Sequence, residues 1–592
     1  MAETSSDCGR KKAKVDGSLD GSLDGSSRKF DGESDVTRHI QGEKHQKNVR
    51  ARTNAAPLSS FGFISTSDPL KDKVTTAEIK VATLLVENNI PLAFADKLSP
   101  MFKELFPDSN IAKNYHSARM KTTCILNGAI APHVKQTLVE QLKSGVFSMS
   151  TDGSNDKDLD KMNPITVKLF DINTSRAVTR FLDMGVTQVV DAAKASTIFE
   201  AIDEVMTDNS IPWKNCIAFS VDNTSANLGQ FNSIKTRVLE RNPDCYFLGC
   251  PCHILHNTAG KASSQLKEVS GFDIDDLAVD IFYYFDKSTK RKAALSDYAQ
   301  FCDLVYRKTL KHVTTRWLSL NTSVNRILSG YEGLKSYFLS EDDEDSKIPR
   351  FARLRKHFEN PMTEIYLMFF QAVIPTFTTI NEFLQRGEPV IHLLLDQLES
   401  FLKKLAGKFI RIDAIAAANK VQRFYDTVGA FYRAAAQYAV AKLPFNDKVL
   451  ENSRFVNFEK RREHEFTMVE FFLQRFPDHL EMSVEEQEKL QEQFIDYQLL
   501  SNDNIRQHVW NDATVKTDED GTACLFRMDV IWGHLNATKS ADGTPRFHLL
   551  ARVALTVLCL PHSNAEERVF SMIGKNKRAE RSSLQVKGTL SS

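Results

Sequence analysis

The feature that most limits what this chain can fold into is the order of its short apolar and alternating runs between Val146 and Gly249. Val146–Ser150, Ile165–Phe170 and Ala177–Met184 come in sequence and read as strands. A helix follows from about Ala192 to Met206, then a strand at Ile217–Val221, a helix at Leu228–Arg241 and a strand at Cys245–Gly249. Beyond His253 the pattern turns helical and stays so across residues 261–540. Ile391, Leu394, Leu395, Leu398, Phe401, Leu402 and Leu405 form a broad apolar stripe there, and Phe369, Phe370, Ile374 and Phe377 add to it; both are expected in a core. Three strands followed by strand–helix alternation predict an α/β sheet, here with a large all-α insertion behind it.

Two of these strands end on a carboxylate. Ser148-Met149-Ser150-Thr151-Asp152-Gly153 and Ala218-Phe219-Ser220-Val221-Asp222-Asn223 each deliver an Asp at the strand's end, followed by turn residues. Two Asp residues on neighbouring strands can share a pair of divalent cations about 3.5–4 Å apart, the arrangement used for phosphodiester chemistry. The strand order is that of an RNase H-like sheet, with Asp152 on the first strand and Asp222 on the fourth.

Before the sheet, Ala77, Val81, Leu84 and Leu85 recur at helical spacing, and Ala95–Phe106 and Ala129–Leu142 continue the theme, so residues 75–145 read as a helical domain. Residues 1–74 are rich in Ser, Gly, Asp and Lys, repeat Asp-Gly-Ser-Leu at 16–19 and 20–23, and read as a disordered tail. Within it Arg10-Lys11-Lys12-Ala13-Lys14 has the composition of a nuclear-import signal, with a solvated charge cluster as the plainer reading. His39 and His45 look like half of a zinc finger, but the one upstream cysteine, Cys8, cannot complete four ligands. Cys250, Cys252, His253 and His256 are spaced too closely for the usual structural zinc sites, so zinc is not expected. Asp156, Asp158 and Asp160 imitate a calcium loop but lack its Gly and Glu, Lys161 and Val167 standing in their places.

Bulk properties narrow the class further. The chain has 592 residues, 42% of them hydrophobic, enough for several domains' worth of core. Its formal charge is zero, so nucleic-acid binding would have to come from local grooves. Apolar runs such as Val553–Leu560 fall short of the roughly 18 residues a membrane span needs, and the start is too polar for a signal peptide, so no membrane partner is expected. Nine cysteines, an odd number scattered along the chain, predict a reducing compartment.

Several segments together resemble the hAT superfamily of cut-and-paste DNA transposases and the host proteins derived from them. They are Thr151-Asp152-Gly153, Asp222 to Asn227, Cys250-Pro251-Cys252-His253 with Asn257, Thr315-Arg316-Trp317, and Ser563 to Leu584 with its Glu567-Arg568-Val569-Phe570-Ser571. The likeness covers roughly residues 75–590. It implies an RNase H-like core at 146–260, interrupted by the insertion at 261–540 and completed at 541–592. It also implies a third acid, Glu567, holding two Mg²⁺ or Mn²⁺ ions together with Asp152 and Asp222. His253 and Arg316 would contact phosphate, and Trp317 would stack on an extruded base. The C-terminal region containing Val569, Phe570 and Leu584 would dimerise the protein, with DNA and a second copy as partners and the nucleus as location.

The chain departs from the family in two ways. Ser154-Asn155-Asp156 follows the first Asp-Gly where active members usually carry an aromatic residue, and the N-terminal finger is a fragment. The alternative is therefore a catalytically silent, host-adopted nuclear protein that keeps the fold as a DNA- or protein-binding dimeric scaffold.

Overall fold

The computed structural model describes residues 68–155, 161–187, 194–312, 317–340, 348–415, 422–516 and 524–564. Residues 10–14, 39–45, 156–160, 341–347 and 565–592 thus lie outside the described chain. With them go the basic cluster, the half-finger, the acidic turn, the acidic loop and the C-terminal region read from the sequence. The chain divides into two compact units, one running through Arg119 and the other starting at Met120.

The first unit is helical. Its leading helix, Pro69–Glu87, starts ahead of the pattern read at residue 75, because Asp68 accepts a hydrogen bond from the Leu70 N–H at 3.0 Å and Pro69 occupies the first helical position. Its buried face is Val74, Glu78, Ala82 and Leu85, and Leu84 is 55% exposed. The expected stripe was displaced by the charged Glu78. This carboxylate is buried because it accepts the His116 backbone N–H at 3.1 Å, so a polar side chain holds a core position. Leu85, Ala95, Leu98 and Tyr115 form the core, with Phe102 set edge-on to Tyr115.

The second unit is built on a mixed sheet. Its strands are β1 (Phe147–Thr151), the two-residue β2 (Ser154–Asn155), β3 (Lys161–Asp171), β4 (Arg176–Thr187), β5 (Cys216–Val221) and β6 (Tyr246–Gly249). The long strands lie in the order β4-β3-β1-β5-β6. β3 runs antiparallel to both β1 and β4, and β5 and β6 run parallel to β1. The five expected strands are all present, and each is within a few residues of its expected position. β2 is the addition; it pairs Ser154 with Met162 and Asn155 with Lys161, and is too short to leave a periodic signal.

Both faces of β1 are buried, although its residues alternate Phe147-Ser148-Met149-Ser150. One face, with Phe147, Met149, Val167 and Phe219, packs on Ile198, Ile202 and Val238 from the helices Ala195–Asp208 and Ile234–Arg241. The other face carries a polar stripe, Ser148, Ser150, Thr166, Lys168 and Ser220, each at most 7% exposed. Buried polar groups of this kind need partners. Ser150 and Thr166 hydroxyls bond each other at 2.8 Å. The rest are satisfied by the chain that follows the helix His548–Leu558: the Ser148 hydroxyl donates to the Cys559 carbonyl at 2.6 Å and the Lys168 ammonium to the Leu560 carbonyl at 2.8 Å.

Between β6 and that last helix the described chain is almost wholly helical, as expected. Ile391, Leu394, Leu395, Leu398, Phe401 and Leu405 are buried on the helix Ile391–Ile415, and Leu402 lies at their margin. Phe369, Phe370, Ile374 and Phe377 are buried on Met362–Leu384. The exception is a small hairpin, Thr514–Lys516 with Cys524–Phe526, whose strands of three residues each leave no readable alternation. The molecule is thus an α/β sheet with a large helical part. Among the described residues no helix is long and apolar enough to cross a membrane.

Candidate functional site

The two Asp residues stand side by side. β1 and β5 are adjacent and parallel, and Ser150 is the register partner of Ser220. Asp152 and Asp222 each come two residues later, one past the end of its strand, so the same register places them together at the carboxyl edge of the sheet. Neighbouring strands are about 4.8 Å apart, which sets the scale of their separation. By strand alternation both continue the Ser148, Ser150 and Ser220 side of the sheet, the side on which residues 559–564 lie.

Local hydrogen bonds orient Asp222. Its Oδ1 accepts the Thr224 N–H at 2.9 Å, an Asx turn, and the Asn227 side-chain amide at 2.6 Å. Neither uses Oδ2, the oxygen then available to a ligand. Asn223 turns the other way and donates to the Cys250 carbonyl at 2.8 Å. This contact requires Gly249, since a Cβ there would lie 2.1 Å from the Asn223 Oδ1. The turn after β5 is thereby tied to the end of β6.

At that point the helix Pro251–Ser270 begins, with Cys250 as its N-cap residue and Pro251 in its first turn. The Cys250 thiol is held well below its usual range. The Cys252 thiol donates to its sulfur, and His253 and the Asn564 backbone N–H add to the effect, which together outweigh burial. His253 is raised to about 9, first by the Cys250 sulfur and then by the Asp152 and Asp222 carboxylates, against burial. The site therefore holds a protonated imidazole at neutral pH between a sulfur and two carboxylates. His256, one turn on, is lowered by burial and by His253.

Asn564 closes the arrangement. Its backbone N–H serves Cys250 and its Oδ1 accepts the Ser220 hydroxyl at 2.5 Å. Ser563 donates to the Leu384 carbonyl at 2.5 Å, fixing the same segment to the helix Met362–Leu384.

Of the residues singled out in the sequence, Asp152, Asp222 and His253 are thus brought together. Glu567, Val569, Phe570, Leu584 and Arg316 lie outside the described residues; Trp317 opens the helix Trp317–Ser329, and its side chain lies outside them too. Among the described residues no group of three or more His, Cys, Asp or Glu is disposed to hold a metal ion. The two carboxylates by themselves fit a shared hard cation, which takes oxygen ligands.

Sequence reasoning missed Cys250 as the partner of His253, Asn227 as the orienter of Asp222, and the polar stripe. The first had a signal, a Cys three residues before a His across a helix start marked by Pro251. The stripe had one as well, a Ser-x-Ser alternation on a strand whose other face is wholly apolar. No family model matches the chain, and no curated protein matches it.

Proposed function

We propose that the chain is a hAT-like, transposase-derived protein whose chemistry is metal-dependent cleavage and transfer of DNA strands. Its sheet is read as an RNase H-like core. The observation that carries the reading is the register of β1 and β5, which sets Asp152 and Asp222 side by side on the face where residues 559–564 dock. Glu567 follows Asn564 by three residues, and three residues of extended chain span at most ~11 Å. That reach supports Glu567 as the third carboxylate.

Asp152, Asp222 and Glu567 would hold two Mg²⁺ or Mn²⁺ ions. When bound, such ions activate a hydroxyl nucleophile and offset charge on the attacking and leaving oxygens. The chain's own groups prepare the site. Thr224 and Asn227 fix the Asp222 carboxylate, and the protonated His253 presents an N–H to a phosphate oxygen beside the carboxylates. Arg316 and Trp317 would hold the DNA next to the cut, through phosphate contact and base stacking. The C-terminal region with Val569, Phe570 and Leu584 would join two copies, and the nucleus is the compartment that fits a DNA substrate.

The test is purified protein with labelled duplex DNA and Mn²⁺, beside Asp152→Asn, Asp222→Asn and Glu567→Gln. Wild type should cut, and each variant should lose roughly 100-fold or more while melting at the same temperature. If folded wild type binds DNA but leaves it intact, the catalytic reading falls and the silent scaffold takes its place.

A further inference from the structure

Away from the carboxylates, two cavities in the helical part meet at a buried imidazole. The larger, about 680 Å³, lies between the helices Met362–Leu384 and Ile391–Ile415 and the hairpin residue Phe526. The smaller, about 260 Å³, is lined by Asp396, Arg454, Lys460 and His464. His392 and Asn457 border both. The volume of the larger one is in the range of small-molecule sites, about 300–1,000 Å³.

His392 is 2% exposed, and its Nδ1 finds no hydrogen-bond partner among the described residues. A buried polar atom left in this state costs free energy and calls for a partner. His464 is 8% exposed and repeats the feature at its Nε2. The charges of the smaller cavity are already matched, because Arg454 and Lys460 both reach Asp396, at 2.5 and 3.4 Å. The larger cavity differs. Arg386 and Lys404 border it, and among the described residues neither side chain has a carboxylate within ion-pair distance. Phe383, Phe401 and Phe526 form the apolar part of its wall, and Gln397, Ser400 and Asn457 supply donors and acceptors.

We infer that the larger cavity binds a nucleotide, its phosphate held by Arg386 and Lys404, its base among Phe383, Phe401 and Phe526, and its edge bonded to His392. Each part follows from the chemistry of the wall. Two unpaired cations suit a phosphate. Aromatic rings suit the face of any base, and a neutral imidazole can donate to or accept from its edge. The same chemistry describes a free mononucleotide and a nucleotide within a single strand of DNA. This inference does not depend on the carboxylate site or on metal.

The test is equilibrium binding in EDTA with the full chain, using dTMP and dAMP in one arm and a fluorescent single-stranded oligonucleotide in the other. Binding in either arm, weakened at least tenfold by Arg386→Ala and by Lys404→Glu and unchanged by Asp152→Asn, supports the site. Mononucleotide binding identifies a free ligand, and oligonucleotide binding alone identifies a strand. Lys404 is exposed, so its variant should fold, and thermal melting of each protein checks this. The inference is overturned if neither probe binds at millimolar concentration, if both variants bind as wild type does, or if inorganic phosphate competes as well as dTMP. None of these results touches the cleavage assay, which can succeed or fail separately.

Discussion

At the scale of single residues, burial decides protonation in this protein as strongly as charge does. His253 and His392 lie on opposite sides of their ordinary value for this reason: His253 has a sulfur and two carboxylates beside it, whereas His392 has desolvation first and then the Lys168 ammonium against it, and falls to about 3. The sign for stability follows. Above the ordinary histidine value of 6.5 His392 is neutral in both folded and unfolded chains and carries no pH dependence. As pH falls from 6.5 toward 3 the unfolded chain takes up a proton that the folded chain refuses, so stability drops, by up to ~1.4 kcal/mol per pH unit. His392→Gln should remove that slope. Urea melts of both proteins at pH 7, 6, 5 and 4 measure it, and parallel curves would show that His392 is not the group responsible.

At the scale of elements, the polar stripe is a docking device. Ser148 and Ser220 hold one segment, residues 559–564, from two adjacent strands. Removing either hydroxyl leaves a buried acceptor unpaired, at a cost of about 1–3 kcal/mol. Because both serve the same segment, Ser148→Ala and Ser220→Ala should together cost less than the sum of the two by ~0.5 kcal/mol or more. A double-mutant cycle in urea reads this directly, and strict additivity would mean that the two bonds act independently.

The same elements show what the sequence reveals and what it hides. Periodicity located β1, β3, β4, β5 and β6 because each is long enough, or apolar enough, to carry a pattern. It missed β2 and the hairpin at 514–526, which are held by pairing alone. It put Leu84 in the core where Glu78 and Ala82 lie, since no pattern reveals that a carboxylate will find a backbone N–H thirty-eight residues away. Asp152 and Asp222 were legible as strand ends, but their matched register was not, because it depends on which strands become neighbours. The Cys250–His253 pair was present as a spacing, and its effect came from burial, which spacing does not report.

At the scale of the molecule, the division at Arg119 and Met120 separates two cores. The first is small, and single cores of about 50 residues are marginal on their own. The second contains the sheet and nearly all the helices. A chain starting at Met120 should therefore keep a cooperative calorimetric transition. Its midpoint should fall within the ~2–4 °C that 1 kcal/mol shifts in a domain of 150–250 residues. A much larger drop would show that the second core depends on the first.

The stripe on β1, β3 and β5 also has a consequence in time. Ser148 waits for a carbonyl 411 residues later in the chain, so at ~5–20 residues per second a ribosome needs roughly 20–80 s to deliver it. Throughout that interval the nascent sheet exposes serines and a lysine on that face, where an apolar strand would expose a sticky surface. A polar stripe keeps the half-made protein soluble until its last helix arrives.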